Sequence, residues 1–255
     1  MSEKQTGFDL VILGGRVMDP ETGLDAVRNV GIKGHEIAMI TDQSIEGTEV
    51  VDATGHVVAP GFIDGHTHSA NDAFGVKMGI LDGRTTQLDL EAGAWPVDAW
   101  YDRIEGRSQS NYGASVGHLG IRDVVFSDIT TTTGNLFLEM WKSKSQWSVH
   151  QASPEELEKI LEKIEEGIQQ GGLGVGTPIG YATSGLTAYE VNQAWRLAGK
   201  HGLFATVHGR FSSLALPTEG ILGTLEAIAS ASMHGAGMLV HHYQAQVLSA
   251  VEDVA

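Results

Sequence analysis

Between residues 8 and 58 short apolar runs are broken by turn-forming residues: Asp9 to Leu13, then Gly14-Gly15, then Val27 to Ile32, Glu36 to Ile40 and Glu49 to Val58. Runs of this length predict strands joined by tight turns, with Gly14-Gly15 as one of the turns. The pattern therefore predicts a small β domain over residues 1–58. Beyond Pro60 the texture changes: apolar runs at Ala59 to Asp64, Thr85 to Leu90, Ala114 to Val116, Leu173 to Val175, Leu203 to Val207 and Met238 to Val240 alternate with amphipathic stretches. Strands alternating with helices predict parallel βα units over residues 59–255.

The clearest helix spans Pro154 to Gln170. Ser153 suits the N-cap, Pro154 the first helical position, and Glu156 completes a capping box, while Gly171 and Gly172 offer a left-handed stop. Leu157, Ile160, Leu161, Ile164 and Ile168 form one apolar stripe that would pack on a sheet. Further helices are expected near residues 97–106, 187–201, 219–232 and 244–255. Six strands in βα order are two short of a closed eight-stranded barrel, which needs roughly 250 residues on its own. The expected fold class is thus α/β, a partial (β/α)8 TIM-type barrel with about six of eight βα units. The sequence reads as shortened by two units, or else as an open or complemented barrel.

Composition narrows the chemistry. With 42% apolar residues among 255, the chain can fill a substantial core, and a net charge of −16 excludes a nucleic-acid or anionic-membrane partner by repulsion. The first residues lack the basic and apolar blocks of a signal peptide, and no apolar run approaches the ~20 residues that span a bilayer, so a cytoplasmic location is the expectation. Zero cysteines exclude disulfides and thiolate ligands. Any metal site must then be built from histidines and carboxylates.

His66 and His68 sit two apart at the C-terminal end of an apolar strand, where period-two geometry turns both imidazoles to one side. In a βα barrel that end carries the active site. Two converging neutral imidazoles suit Zn2+ or another divalent first-row ion.

Asp9-Leu-Val-Ile-Leu-Gly-Gly-Arg-Val-Met-Asp-Pro-Glu-Thr-Gly, Val51-Asp-Ala-Thr-Gly and Ala59-Pro-Gly-Phe-Ile-Asp-Gly-His-Thr-His together resemble the amidohydrolase superfamily, in its D-aminoacylase and N-acyl-D-glutamate deacylase branch. Further matches are Gly83-Arg-Thr-Thr, Asn111 with Val116-Gly-His-Leu-Gly-Ile-Arg122, Gly172-Leu-Gly-Val-Gly and Phe204-Ala-Thr-Val-His-Gly-Arg210. The resemblance implies a small β-sandwich domain beside a (β/α)8 barrel. It also implies metal ligands after strands five and six, which are His208 and His242 here, with His241 as nearest competitor to the second. The D-aminoacylase pattern places a cysteine ligand after strand two; Glu91 falls within one position of it and is the expected replacement. One or two zinc ions, or another divalent first-row metal, would be the cofactor.

His118, at the end of a strand, is expected to contact substrate or a metal ligand's far nitrogen, with a structural hydrogen bond to backbone as the alternative; Tyr181 resembles a substrate-binding tyrosine of the family. Arg122 and Arg210 are the remaining cationic candidates, with surface salt bridging as the alternative. Where the family has a lysine for the substrate carboxylate, this sequence has Gln244. The family's general base is an aspartate ending strand eight, which this sequence does not reach; Asp64 and Asp89 are poor substitutes, so the catalytic base is unassigned.

Three readings stay open. The first is metal-dependent hydrolysis of N-acyl-D-amino acids, N-acyl-D-glutamate among them. The second is a cyclic-amide or dipeptide amidohydrolase. The third is a non-catalytic metal-binding or assembly protein. A small-molecule substrate is the expected partner, with a second copy or a complementing chain at the open barrel edge.

Overall fold

The computed structural model describes residues 5–127, 146–210 and 217–243. The chain separates into two compact units, Met1–Gly61 and Phe62–Ala255.

The first unit is a five-stranded sheet. Strands β1 (Gln5–Asp19), β2 (Leu24–Lys33), β3 (Glu36–Thr41) and β4 (Ile45–Asp52) lie in the order β3-β2-β1-β4, and the short β5 (Val57–Val58) extends the pairing of β1. The expected turn at Gly14-Gly15 is not one. Strand β1 runs through it, and the pairing with β2 shifts register between Ile12 and Gly15. Gly14 takes a left-handed φ of 70° and its N–H donates to Asn29 Oδ1, so the glycine pair absorbs an extra residue as a bulge. The run from Glu49 to Val58 is likewise divided, because the chain turns through Gly55 between β4 and β5.

The second unit is built on six parallel strands in sequential order: β6 (Phe62–Asp64), β7 (Arg84–Ala94), β8 (Asn111–Gly117), β9 (Gly174–Pro178), β10 (Phe204–His208) and β11 (Gly237–Val240). All six were legible as apolar runs. The sheet curls, since a side chain of a distant strand reaches across it: Thr206 on β10 donates to the Leu90 carbonyl of β7, which also accepts from Ser115 on the neighbouring β8. Small residues permit this approach. At Gly176 of β9, a side chain would stand 2.6 Å from the Glu91 carbonyl and 2.8 Å from that of Leu90.

Six α-helices occur among the described residues: α1 (Ala73–Leu81), α2 (Val97–Ile104), α3 (His118–Ser127), α4 (Pro154–Gln169), α5 (Ala188–Lys200) and α6 (Pro217–Met233). Helix α4 has the expected capping box, and it ends in a Schellman motif: Gly171 has φ 100°, its N–H reaches the Ile168 carbonyl, and Gly172 N–H reaches that of Gly167. Ile160, Ile164 and Ile168 are buried in a core with Val116, Val175, Trp195 and Val207, which ties the helical layer to the strands.

Helices α1 and α3 were not anticipated. Residues Ala73 to Leu81 are apolar all round except for Lys77, so no 3.6-residue period shows; Asp72 nonetheless caps them by accepting from Gly75 N–H. Helix α3 starts directly at the end of β8 and buries His118 through Asp123, again leaving no polar face to mark its period. The expected helix at 244–255 lies outside the described residues. No helix among the described residues is long and apolar enough to cross a membrane.

Candidate metal centre

Five side chains converge where β6, β7, β10 and β11 end. Glu91, near the end of β7, has a side chain only 1% exposed. Its Oε2 lies 3.3 Å from His66 Nε2 and 3.2 Å from His68 Nε2, and its Oε1 lies 2.8 Å from His208 Nδ1 and 2.9 Å from His242 Nε2. The carboxylate thus joins two triads, His66/His68/Glu91 and Glu91/His208/His242, within each of which the ligand atoms lie within 4.8 Å of one another.

Local structure explains the convergence. Residues 66–67 stay attached to β7 after β6 ends, through a bridge between His66 and Asp89 and through Thr67 N–H to the Leu88 carbonyl. His208 is the last residue of β10, two beyond Thr206, whose hydroxyl reaches into the same interior. His242 lies two residues past β11 with φ 40°, a left-handed conformation rare outside glycine. Residues other than glycine in this region cluster at functional sites, and here the turn brings the ring to 4.6 Å from that of His208 and 4.3 Å from that of His66.

Electrostatics follow from one acid among four imidazoles. Burial alone would raise the Glu91 carboxyl, but hydrogen bonds from His208, His66, His68 and His242 outweigh it and hold the group well below the ordinary carboxylate range. For His68, burial opposes protonation, yet its contacts with Asp89 and Glu91 push it up to about 9. His241 is different: burial foremost, then the field of His66, lowers it to about 4. Its ring stacks 4.5 Å from that of His66, whereas His242 is the one whose nitrogen meets Glu91.

The donor set fits a divalent cation of the zinc type. Zinc binds imidazole nitrogen and carboxylate oxygen at about 2.0–2.2 Å, so two ligands of a tetrahedral ion stand roughly 3.3 Å apart. The His66–Glu91 and His68–Glu91 separations match that spacing. The Glu91/His208/His242 triad is closer, at 2.8–2.9 Å, which is hydrogen-bond spacing and would open slightly around an ion.

Of the four residues expected at the substrate, one stands beside the cluster. Tyr181, partly exposed, lies with its ring 4.7 Å from that of His208, and burial together with the Glu91 charge raises its phenol. The structure does not bring the other three there. His118 and Arg122 are fully buried in α3, where His118 Nε2 meets Glu190 Oε1 of α5 at 3.0 Å and Arg122 Nη1 meets both Glu190 oxygens at 2.5 Å. Their placement follows from the helix that starts at residue 118, which turns Arg122 and His118 Nε2 toward Glu190, while His118 Nδ1 stays 3.3 Å from Thr177 Oγ1 near the end of β9. Arg210 is held by Glu226 at 2.7 and 2.9 Å and by the carbonyls of Thr183 and Leu186, the salt-bridged alternative. Gln244 lies outside the described residues.

Two residues of the site went unassigned in the sequence. Asp89 accepts from His68 Nδ1 at 3.1 Å, and Asn71 donates to Asp89 and to the His68 carbonyl, both at 3.0 Å. The available signal was Gln87-Leu-Asp-Leu-Glu91, polar residues at every second place of an otherwise apolar strand, all buried. Asp64, the other aspartate considered, is occupied by Arg84 at 2.9 Å and by the His66 N–H.

Comparison with known proteins finds the same resemblance as the motifs. Residues 49–116 match the model described as "Amidohydrolase family". The chain is 26% identical over 232 residues to a dihydroorotase of Streptococcus thermophilus, covering 89% of this chain and 48% of that protein. It is 26% identical over 234 residues to a D-aminoacylase of Alcaligenes xylosoxydans xylosoxydans, covering 80% of this chain and 44% of that one. Among solved structures, the N-acyl-D-glutamate deacylase of Bordetella bronchiseptica, described as complexed with zinc and a phosphonate inhibitor, superposes with a TM-score of 0.71 at 19% identity over 92% of this chain and 51% of its own. A D-aminoacylase does so with a TM-score of 0.68 at 20% identity over the same shares. The chain therefore spans about half the length of the curated relatives it matches.

Proposed function

We propose that this chain, which carries an amidohydrolase-family segment and folds like the D-aminoacylases, provides the metal-binding part of a hydrolase that cleaves the C–N bond of N-acyl-D-amino acids. The observation that carries the proposal is Glu91, a buried carboxylate shared by four imidazoles at the C-terminal ends of parallel strands. His66 and His68 would hold one divalent ion with Glu91, and His208 and His242 a second. When bound, such an ion supplies Lewis acidity toward an amide carbonyl and acidifies water. The chain's own residues do the rest of what this part contributes. Glu91 keeps its charge against burial, His68 is oriented by Asp89, and Tyr181 stands over His208 where its hydroxyl can meet a bound acyl group. No described residue is assigned as general base.

The D-aminoacylase motifs and relative favour an N-acyl-D-amino acid over a cyclic amide. The second reading, a cyclic-amide hydrolase, is supported by the dihydroorotase relative at equal identity. The test is release of free amino acid from N-acetyl-D-glutamate and other N-acetyl-D-amino acids, beside ring opening of dihydroorotate and hydantoin, by the zinc-loaded protein. Turnover of the acyl substrates supports the first reading. Turnover confined to the cyclic substrates replaces it with the second; turnover of neither by a zinc-loaded chain overturns hydrolysis by this chain itself and leaves only its metal binding.

A further inference from the structure

We infer that Asp89 is the positioning residue of the metal centre, fixing the tautomer and ring plane of His68, and that Asn71 in turn fixes Asp89. The inference rests on the metal-centre reading above and extends it to two residues that bind no ion themselves.

The Asp89 side chain is 1% exposed and accepts from three donors: His68 Nδ1 at 3.1 Å, Asn71 Nδ2 at 3.0 Å and Gly93 N–H at 3.3 Å. The Asn71 and Gly93 N–H groups donate to Asp89, which faces His68 as an acceptor, so Nδ1 of His68 carries the hydrogen. With Nδ1 held by Asp89, Nε2 is the nitrogen that can give up its hydrogen to an ion, and Nε2 is the atom 3.2 Å from Glu91 Oε2. The two carboxylates therefore grip the ring from opposite nitrogens, one toward the ion and one behind it. Metal-binding histidines commonly use a carboxylate in this way to set orientation and raise ligand basicity.

Asn71 makes the arrangement one-directional. Its Oδ1 accepts from Trp100 Nε1 at 2.8 Å and Arg103 Nη2 at 3.0 Å, both on α2, so the amide cannot turn over. Its Nδ2 must then face Asp89 and the His68 carbonyl. Arg103 also donates to the Asn71 carbonyl at 3.1 Å, and Trp100 is fully buried. A rigid helix thus reaches the ion site through Asn71, Asp89 and His68. The anchor acts where it matters most, because His68, at 36% exposed, is the least enclosed of the four rings.

The test is the zinc affinity of the whole chain, read by competition with a chromophoric chelator, together with the absorption spectrum of the cobalt-loaded protein. Asp89→Asn keeps the volume but turns a donor toward Asn71 and should weaken zinc binding about 10–100-fold, with a changed cobalt spectrum. Asp89 acts through His68, so the His68→Ala/Asp89→Asn double variant should bind no more weakly than His68→Ala alone. Asn71→Ala, which leaves Asp89 charged and removes only its anchor, should lose several-fold and carries the test if Asp89→Asn does not fold. Unchanged affinity in Asp89→Asn or, in its place, Asn71→Ala overturns the inference while leaving the metal centre standing, as do fully additive losses in the double variant. A wild-type chain that binds neither metal overturns the metal-centre reading itself, and this inference with it.

Discussion

Two buried glutamates of this molecule, Glu91 and Glu190, each sit against histidine, and they serve opposite ends. Around Glu190 the partners are His118 and a permanent cation, Arg122, whose remaining donors end on the carbonyls of Trp147 and His150. His118 and Arg122 are wholly enclosed, and His118 Nδ1 closes on Thr177 Oγ1 at 3.3 Å. Around Glu91 there are four imidazoles, 15–36% exposed, and no guanidinium among its contacts with the described residues. One cluster is neutralised by a residue that is always charged and is sealed from water. The other gathers four imidazole nitrogens, each a donor or a ligand depending on its proton, around one carboxylate and opens to solvent, which is what an ion site needs. A buried acid beside histidine is therefore not by itself a functional signal; the identity of its counter-charge and its access to solvent decide.

Substitutions can break the comparison. The largest effect on binding is expected for His66→Ala combined with His68→Ala, which should remove zinc binding at the first triad entirely, as measured by metal analysis after gel filtration. Glu190→Gln should leave zinc affinity unchanged while costing roughly 3–5 kcal/mol of folding stability in denaturant titration, because it strands a buried Arg122. The pH dependence has a definite sign. Although burial raises the Glu190 carboxyl, contacts with His118 and Arg122 lower it below its ordinary 4.5. Its contribution is thus present above about 4.5 and is lost as pH falls through the folded-state value. Stability measured from pH 7 to pH 3 should fall less steeply in Glu190→Gln than in wild type. Gly176→Ala should cost about 1–3 kcal/mol by pressing on the carbonyls of Leu90 and Glu91, and it should weaken zinc binding as well. Tyr181→Phe should be the mildest, changing zinc affinity by less than about threefold while raising KM for whichever substrate is turned over.

The same contrast explains how far the sequence could be read. The six parallel strands and the capped helix α4 were visible because their periods and caps are local. The His66-x-His68 pair was visible because two residues on one strand end fix their own geometry. The placement of Glu91, His208 and His242 came through resemblance to a family, since nothing local says that β7 and β11 meet across a curled sheet. The pairing of His118 and Arg122 with Glu190 could not be read, because a helix buried on all sides at its first turn has no period, so a strand-end histidine could not be told from a helix-start one. Asp89 and Asn71 stayed hidden for a further reason: each is defined by the partner it holds, and the partners lie on different elements.

The central claim is that Glu91 is one carboxylate serving two triads. Zinc titration of wild type and Glu91→Gln, followed by isothermal calorimetry with thermal melts as a folding control, tests it directly. The account predicts tight binding by wild type and loss of zinc from both triads in a folded Glu91→Gln, because both depend on the same side chain. A folded Glu91→Gln that binds zinc with wild-type stoichiometry and affinity would contradict it.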